Sequence, residues 1–269
     1  MEVLIFPDAQ SLARKSADLV ESQIKTFPDS VIGLATGSTP LGLYEELIRR
    51  HSEYDLSFEG VKTFNLDEYV GIPANHPQSY RTFMDDNLFS KINIETSNTQ
   101  VPDGMAENPL DVGPAYEKMI EKAGGIDLQV LGVGTDGHIG FNEPTSSLGS
   151  ITRVKTLTKQ TIEDNSRFFK TDEFQPKLAI TMGIKTILDA RRILLLAHGE
   201  NKAEAVKDMV EGPLSAMCPA SALQLHQRTT ILIDETAASK LRLKGYYKFV
   251  CEMQDDLVRK HRPSDWVSR

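Results

Sequence analysis

Short apolar runs alternate with longer amphipathic stretches along most of the chain. Residues 3–6, 31–35, 61–66, 126–133, 178–181, 193–197 and 230–233 are dense in aliphatic side chains and only a few residues long, which predicts buried strands. Between them, apolar positions recur at helical spacing. Leu12, Ala13, Ala17, Val20 and Ile24 predict a helix over 11–25. Further helices are predicted over 40–50, around 79–89, and over 114–123, 184–190 and 200–210. From 246 to 261 the chain turns helical and charged, a tail that packs on the body or on a neighbouring subunit. Strand–helix alternation of this kind predicts the α/β class: one domain over 1–269, with a doubly wound, mostly parallel sheet, helices on both of its faces and a C-terminal helical tail.

Composition narrows the function classes. With 269 residues the chain is long enough for a sizeable core, and 40% apolar with 25% charged is ordinary for a globular enzyme. A formal charge of −8 opposes nucleic acid and anionic membrane as partners, although a local cationic pocket still admits an anionic small molecule. Cys218 and Cys251 have no metal-like spacing and read as reduced thiols. Residues 1–10 lack the pattern of a signal peptide, and no apolar run approaches the ~18 residues of a membrane span. These readings predict a cytoplasmic protein.

Three strand ends carry candidate chemistry. After residues 31–35 comes Thr36-Gly37-Ser38-Thr39-Pro40, where Thr39 suits a helix N-cap and Pro40 the first helical position. Free N–H groups and a positive dipole end there suit a phosphate; the alternative is an ordinary strand–helix turn. After residues 61–66 come Asp67 and Glu68, a general base or a helix cap. After residues 126–133 a glycine-rich loop carries Asp136, His138 and Glu143. Two carboxylates can orient one imidazole for proton transfer, or simply satisfy a structural histidine. A metal site is the weaker alternative, because no second histidine stands nearby. His51, His76, His198, His226 and His261 join no constellation. Arg167 and Lys202 are the cations that suit an anion pocket, and Lys202 falls at a helix start, a poor place for a cation without an anion.

Taken together, these segments resemble glucosamine-6-phosphate deaminase (isomerising). The resemblance rests on Leu-Ala-Thr-Gly-Ser-Thr-Pro at 34–40, Asn-Leu-Asp-Glu-Tyr at 65–69, Asp-Gly-His-Ile-Gly-Phe-Asn-Glu-Pro at 136–144, Asn-Ser-Arg-Phe-Phe at 165–169 and Leu-Gln-Leu-His at 223–226. It implies conversion of glucosamine 6-phosphate and water to fructose 6-phosphate and ammonia, with no redox cofactor and no catalytic metal. It gives Asp67 the proton transfer from C2 to C1, and His138, oriented by Asp136 and Glu143, the opening of the pyranose ring. Thr36, Gly37, Ser38, Thr39, Arg167 and Lys202 would hold the substrate phosphate. Some family members are hexamers activated by N-acetylglucosamine 6-phosphate. Ser146, Arg153, Lys155 and Thr156 match the phosphate-binding part of that allosteric site, but Lys248-Phe249 stands where allosteric members carry Tyr-Phe.

Rival readings are weighed against particular residues. A 6-phosphogluconolactonase would carry Asp-Glu-Arg in place of Asp67-Glu68-Tyr69, and Thr-Ala-Ser in place of Ile139-Gly140-Phe141. The sugar-phosphate effector domain of a transcription regulator would need a DNA-binding segment ahead of Val3. A catalytically silent sugar-phosphate binder would have no use for Asp67, Asp136, His138 and Glu143 together.

Overall fold

The computed structural model describes residues 1–158, 162–163 and 174–261, with side chains through 253. Seven strands form one parallel sheet: β1 (Glu2–Phe6), β2 (Val31–Leu34), β3 (Lys62–Asn65), β5 (Thr99–Gln100), β6 (Leu128–Leu131), β9 (Ile193–Ala197) and β10 (Thr229–Asp234). Their spatial order is β1-β10-β9-β6-β2-β3-β5. The chain winds outward from β2 through β3 to β5, then returns to β6 and winds the other way through β9 to β10. The reversal falls between β2 and β6, so the crevice at their carboxyl ends is where an open α/β sheet binds ligands.

The sheet is buried on both faces because its strands alternate between two apolar clusters. In β9, Ile193, Leu195 and Ala197 join one cluster, and Leu194 and Leu196 join the other. Helices α1 (Ala9–Thr26), α2 (Leu41–Tyr54) and α3 (Tyr80–Asn87) cover one face through Leu12, Val20, Leu43, Leu47 and Met84. Helices α4 (Pro109–Lys122), α5 (Ile184–Leu188) and α6 (Ala203–Val210) cover the other through Tyr116, Ile120, Ile187, Val206 and Met209. Burial of about 25 cal/mol per Å² on each face supplies most of the driving force. The predicted tail is α7 (Lys244–His261); it lies against β1, with Tyr247 and Cys251 packed on the core.

Three boundaries move for physical reasons. Helix α4 starts at Pro109, five residues before the predicted start, because Asn108 accepts the Leu110 N–H and caps it, with Pro114 in the second turn. The segment 200–210 begins as a 3₁₀ turn, Glu200–Lys202, before α6. Helix α2 begins after Pro40, and no side chain caps it, so Thr39 does not act as the N-cap.

A second, antiparallel sheet has the order β4-β8-β7: β4 (Asp67–Tyr69), β8 (Leu178–Thr181) and β7 (Arg153–Thr156). Leu66 connects the two sheets. Its N–H donates to Leu34 O at 3.0 Å, and its O accepts from Met182 N at 2.7 Å. Residues 178–181 form a strand as predicted, but in this small sheet. No helix among the described residues is long and apolar enough to cross a membrane.

Candidate active site

Strand β4 sends two adjacent carboxylates to opposite sides. Glu68 is buried, and its oxygens accept the N–H groups of Tyr69 at 2.8 Å, Tyr80 at 3.0 Å and Arg81 at 3.0 Å. It therefore caps the start of α3 together with Ser79, which accepts from Thr82 N. Asp67 is 6% exposed and no described group hydrogen-bonds its side chain. Burial, then the charge of Glu68, pushes its carboxyl up to about 8, against the pull of His138. An acid held close to neutrality and free of donors is poised for proton transfer.

Gly140 explains how the next loop approaches so closely. A Cβ there would come within 2.9 Å of Thr181 Oγ1 and 3.4 Å of Asp67 Oδ2, and its φ is +56°. Thr181, opposite Asp67 in the small sheet, accepts the Phe141 N–H at 3.1 Å. Asn142 is fastened by Nδ2 to Ile139 O and Met182 O at 2.9 and 2.8 Å. Phe141 packs beside Tyr69 and Tyr80.

The loop after β6 brings Asp136, His138 and Glu143 together. His138 Nδ1 lies 2.6 Å from Asp136 Oδ1 and 3.4 Å from Glu143 Oε2. Both carboxylates thus converge on one ring nitrogen. Burial alone would lower the imidazole's affinity for a proton, but the two carboxylates outweigh it and push His138 up to about 9. Burial also opposes ionisation of Asp136, yet the adjacent imidazole holds it well below the usual carboxylate range. The ring rests on Gly134, where a Cβ would fall 2.2 Å from Cε1. With 31% of its side chain exposed, His138 remains within reach of a ligand. The three side chains also offer ligand atoms within 4.8 Å of one another, close enough for a cation, although the two carboxylates already flank the imidazole Nδ1.

The residues expected to bind an anion lie at neighbouring strand ends. Gly37 has φ +90° and open space around it, and Gly37 and Ser38 are exposed. Thr39 touches the β6 loop, since a Cβ on Gly132 would lie 3.6 Å from Thr39 Cβ. The α2 N–H groups behind this loop have no side-chain cap. Lys202 is half-buried after β9, its N–H on Gly199 O at 3.1 Å. Burial lowers its affinity for a proton, and Asp136 partly restores it. Arg167 lies outside the described residues.

The four residues of the expected allosteric site are not joined by any hydrogen bond or ion pair. Arg153 and Lys155 share one face of β7, and Thr156 lies on the other. Ser146 is buried in the loop after Glu143, its Oγ unpartnered. The roles of Gly134, Gly140 and Thr181 escape sequence reasoning, because no local spacing ties them to His138 or Asp67.

Comparison with known proteins agrees with this geometry. The model of the glucosamine-6-phosphate isomerase/6-phosphogluconolactonase family matches residues 7–232. A glucosamine-6-phosphate deaminase of Shewanella woodyi is 56% identical over 260 residues, covering 96% of this chain and 98% of the relative. One of Cellvibrio japonicus is 58% identical over 250 residues, covering 93% and 95%. Among solved structures, a monomeric glucosamine-6-phosphate deaminase superposes with a TM-score of 0.86 at 45% identity, covering 89% of this chain and 99% of that one. A 6-phosphogluconolactonase of Trypanosoma cruzi gives 0.71 at 20% identity over 90% and 97%, which is a likeness of fold alone. The chain belongs to the glucosamine-6-phosphate isomerase/6-phosphogluconolactonase family, and within it to the glucosamine-6-phosphate deaminases.

Proposed function

We propose that the protein converts glucosamine 6-phosphate and water to fructose 6-phosphate and ammonia by general acid–base catalysis. The observation that carries this reading is a buried Asp67 that meets no described donor, at the same crevice as a His138 whose Nδ1 lies 2.6 and 3.4 Å from the carboxylates of Asp136 and Glu143. The C2 hydrogen of the sugar becomes acidic only when the ring is open and C1 is an aldehyde. One group must therefore open the ring and another take the C2 proton. His138, kept protonated by Asp136 and Glu143, donates to the ring oxygen as the C1–O5 bond breaks, and the O1 hydroxyl gives its proton to water to leave the C1 aldehyde. Asp67 then moves the proton from C2 to C1, giving an enolamine and then an imine at C2, which water hydrolyses to the ketose and ammonia. Each positioned group contributes typically ~10²–10⁴-fold.

Residues 36–39, the start of α2, Lys202 and Arg167 hold the phosphate in this reading. Its support is the uncapped helix start and a half-buried cation. Anchoring the remote phosphate orients C1 and C2 for the chemistry. The test is a paired assay of ammonia and fructose 6-phosphate; their release in equal amounts is expected, and release of neither would remove the reading.

The reading extends to a cytoplasmic homo-oligomer, a hexamer, activated by N-acetylglucosamine 6-phosphate at Ser146, Arg153, Lys155 and Thr156. Its support is the match of those four residues and the cationic face of β7. Lys248, in place of the expected tyrosine, is ion-paired with Glu235 at 2.5 Å. Sigmoidal saturation that turns hyperbolic with the acetylated sugar phosphate is the expected result; hyperbolic saturation unaffected by it would remove this part alone.

A further inference from the structure

One short segment, residues 215–221, grips both ends of the loop that carries Asp136, His138 and Glu143. At the first end, the Ala220 N–H donates to Gly137 O at 2.9 Å. Cys218 Sγ lies directly beneath the same residue, where a Cβ on Gly137 would come within 2.6 Å. At the other end, the Thr145 N–H donates to Ala216 O at 2.7 Å. Thr145 has φ +76°, which a β-branched residue rarely adopts. Asp55, the other non-glycine residue with positive φ among the described residues, merely ends α2. Strain at Thr145 persists only because its surroundings hold it.

The segment is itself closed by one side chain. Ser221 is fully buried; its Oγ accepts the Ser215 N–H at 2.9 Å and donates to Ser215 O at 3.0 Å. The Cys218 N–H donates to Ser215 O at 3.1 Å, and the Ser221 N–H to Cys218 O at 2.8 Å. The turn is thus locked from inside, with its carbonyl and amide at Ala216 and Ala220 aimed at the two loop ends.

We propose that residues 215–221 are a clamp on the catalytic loop, and that Ser221 is a positioning residue that keeps the Asp136 and Glu143 carboxylates on the His138 imidazole. This rests on the reading of His138 as a proton-transfer group. Ser221 touches no reacting atom and acts through the backbone of Gly137 and Thr145. Without its hydroxyl the turn opens, Thr145 relaxes toward negative φ, and Glu143 is drawn off the ring. The charged groups facing the imidazole are Asp136, Glu143 and, from β4, Asp67, so loosening the first two removes what favours its protonated form.

Ser221→Ala tests the clamp with two readouts. Titration of the His138 imidazole by NMR needs no substrate, and it should move about one pH unit lower in the variant. With glucosamine 6-phosphate, kcat should fall about tenfold or more while KM changes little. A folded variant with the parental His138 titration and parental kcat overturns the clamp. If Ser221→Ala does not fold, Ser221→Cys, kept reduced, leaves only a weak donor and acceptor in place of the hydroxyl that closes the turn. It should shift both readouts in the same direction, and parental values in it overturn the proposal equally. If the parent itself releases no ammonia, the functional reading fails while the NMR titration still decides the clamp.

Discussion

Glu68 and Asp67 are neighbours in sequence with opposite employment: Glu68 accepts the N–H groups of Tyr69, Tyr80 and Arg81, whereas the Asp67 side chain meets no described donor. One carboxylate holds α3 in place. The other is left at the crevice with its proton loosely decided. Their replacement should therefore separate stability from turnover.

Asp67→Asn is expected to lower kcat by roughly 10²–10⁴-fold with little change in substrate affinity. It should also stabilise the fold. A carboxyl raised from 3.8 to about 8 in the folded state opposes folding once the unfolded chain ionises, so the penalty appears above pH 4 and grows until about pH 8. The gain in the variant should be on the order of a few kcal/mol at pH 8 and vanish near pH 3, as read by urea unfolding.

Glu68→Ala is expected to do the reverse. It strands buried N–H groups at the start of α3, each costing about 1–3 kcal/mol. Urea midpoints should fall markedly, and Glu68→Gln, which keeps an acceptor, should lose less. An unchanged midpoint in Glu68→Ala would contradict the capping role.

The pH profile of kcat/KM should be bell-shaped. It rises as Asp67 ionises near 8 and falls as His138 loses its proton near 9, apparent values belonging to the coupled site. Asp136→Asn removes the closest partner of the imidazolium, so the alkaline limb should move to lower pH. A limb that stays in place would assign it to another group. The same raised His138 stabilises the fold below pH 6.5, and that contribution is lost as pH climbs through about 9.

Gly134→Ala should displace the His138 ring, since the added Cβ would sit 2.2 Å from it. A loss of kcat of about a hundredfold with unchanged unfolding behaviour is expected. Lys202→Ala, by contrast, should raise KM about tenfold or more through the lost charged contact, with kcat nearly intact. An unchanged KM would place the phosphate elsewhere.

Six strands of the large sheet were legible in the sequence because they are buried and read as short apolar runs, as in Leu194, Leu195 and Leu196, whereas the two-residue edge strand β5, Thr99–Gln100, has no such run and was not foreseen. The small sheet was not. Asp67, Glu68 and Tyr69 carry no apolar run, and Arg153 and Lys155 belong to an edge strand, so both strands exist only through pairing with β8. The run at 178–181 announced a strand but not its partner, because an apolar stretch does not encode which sheet receives it. Asp136, His138 and Glu143 were legible because they lie within one loop. The division of labour between Asp67 and Glu68 was not, since it depends on how residues 70–79 fold the start of α3 back onto Glu68, which no local spacing announces. The clamp depends likewise on Ser215 and Ser221, which carry no motif.

The most direct test of Asp67 as the proton-transfer group is release of ammonia and fructose 6-phosphate from glucosamine 6-phosphate by the parent and by Asp67→Asn under identical conditions. The account predicts equal amounts of both products from the parent and a near-total loss in a folded variant that still binds substrate. Parental rates in Asp67→Asn, or no product from the folded parent, would contradict it.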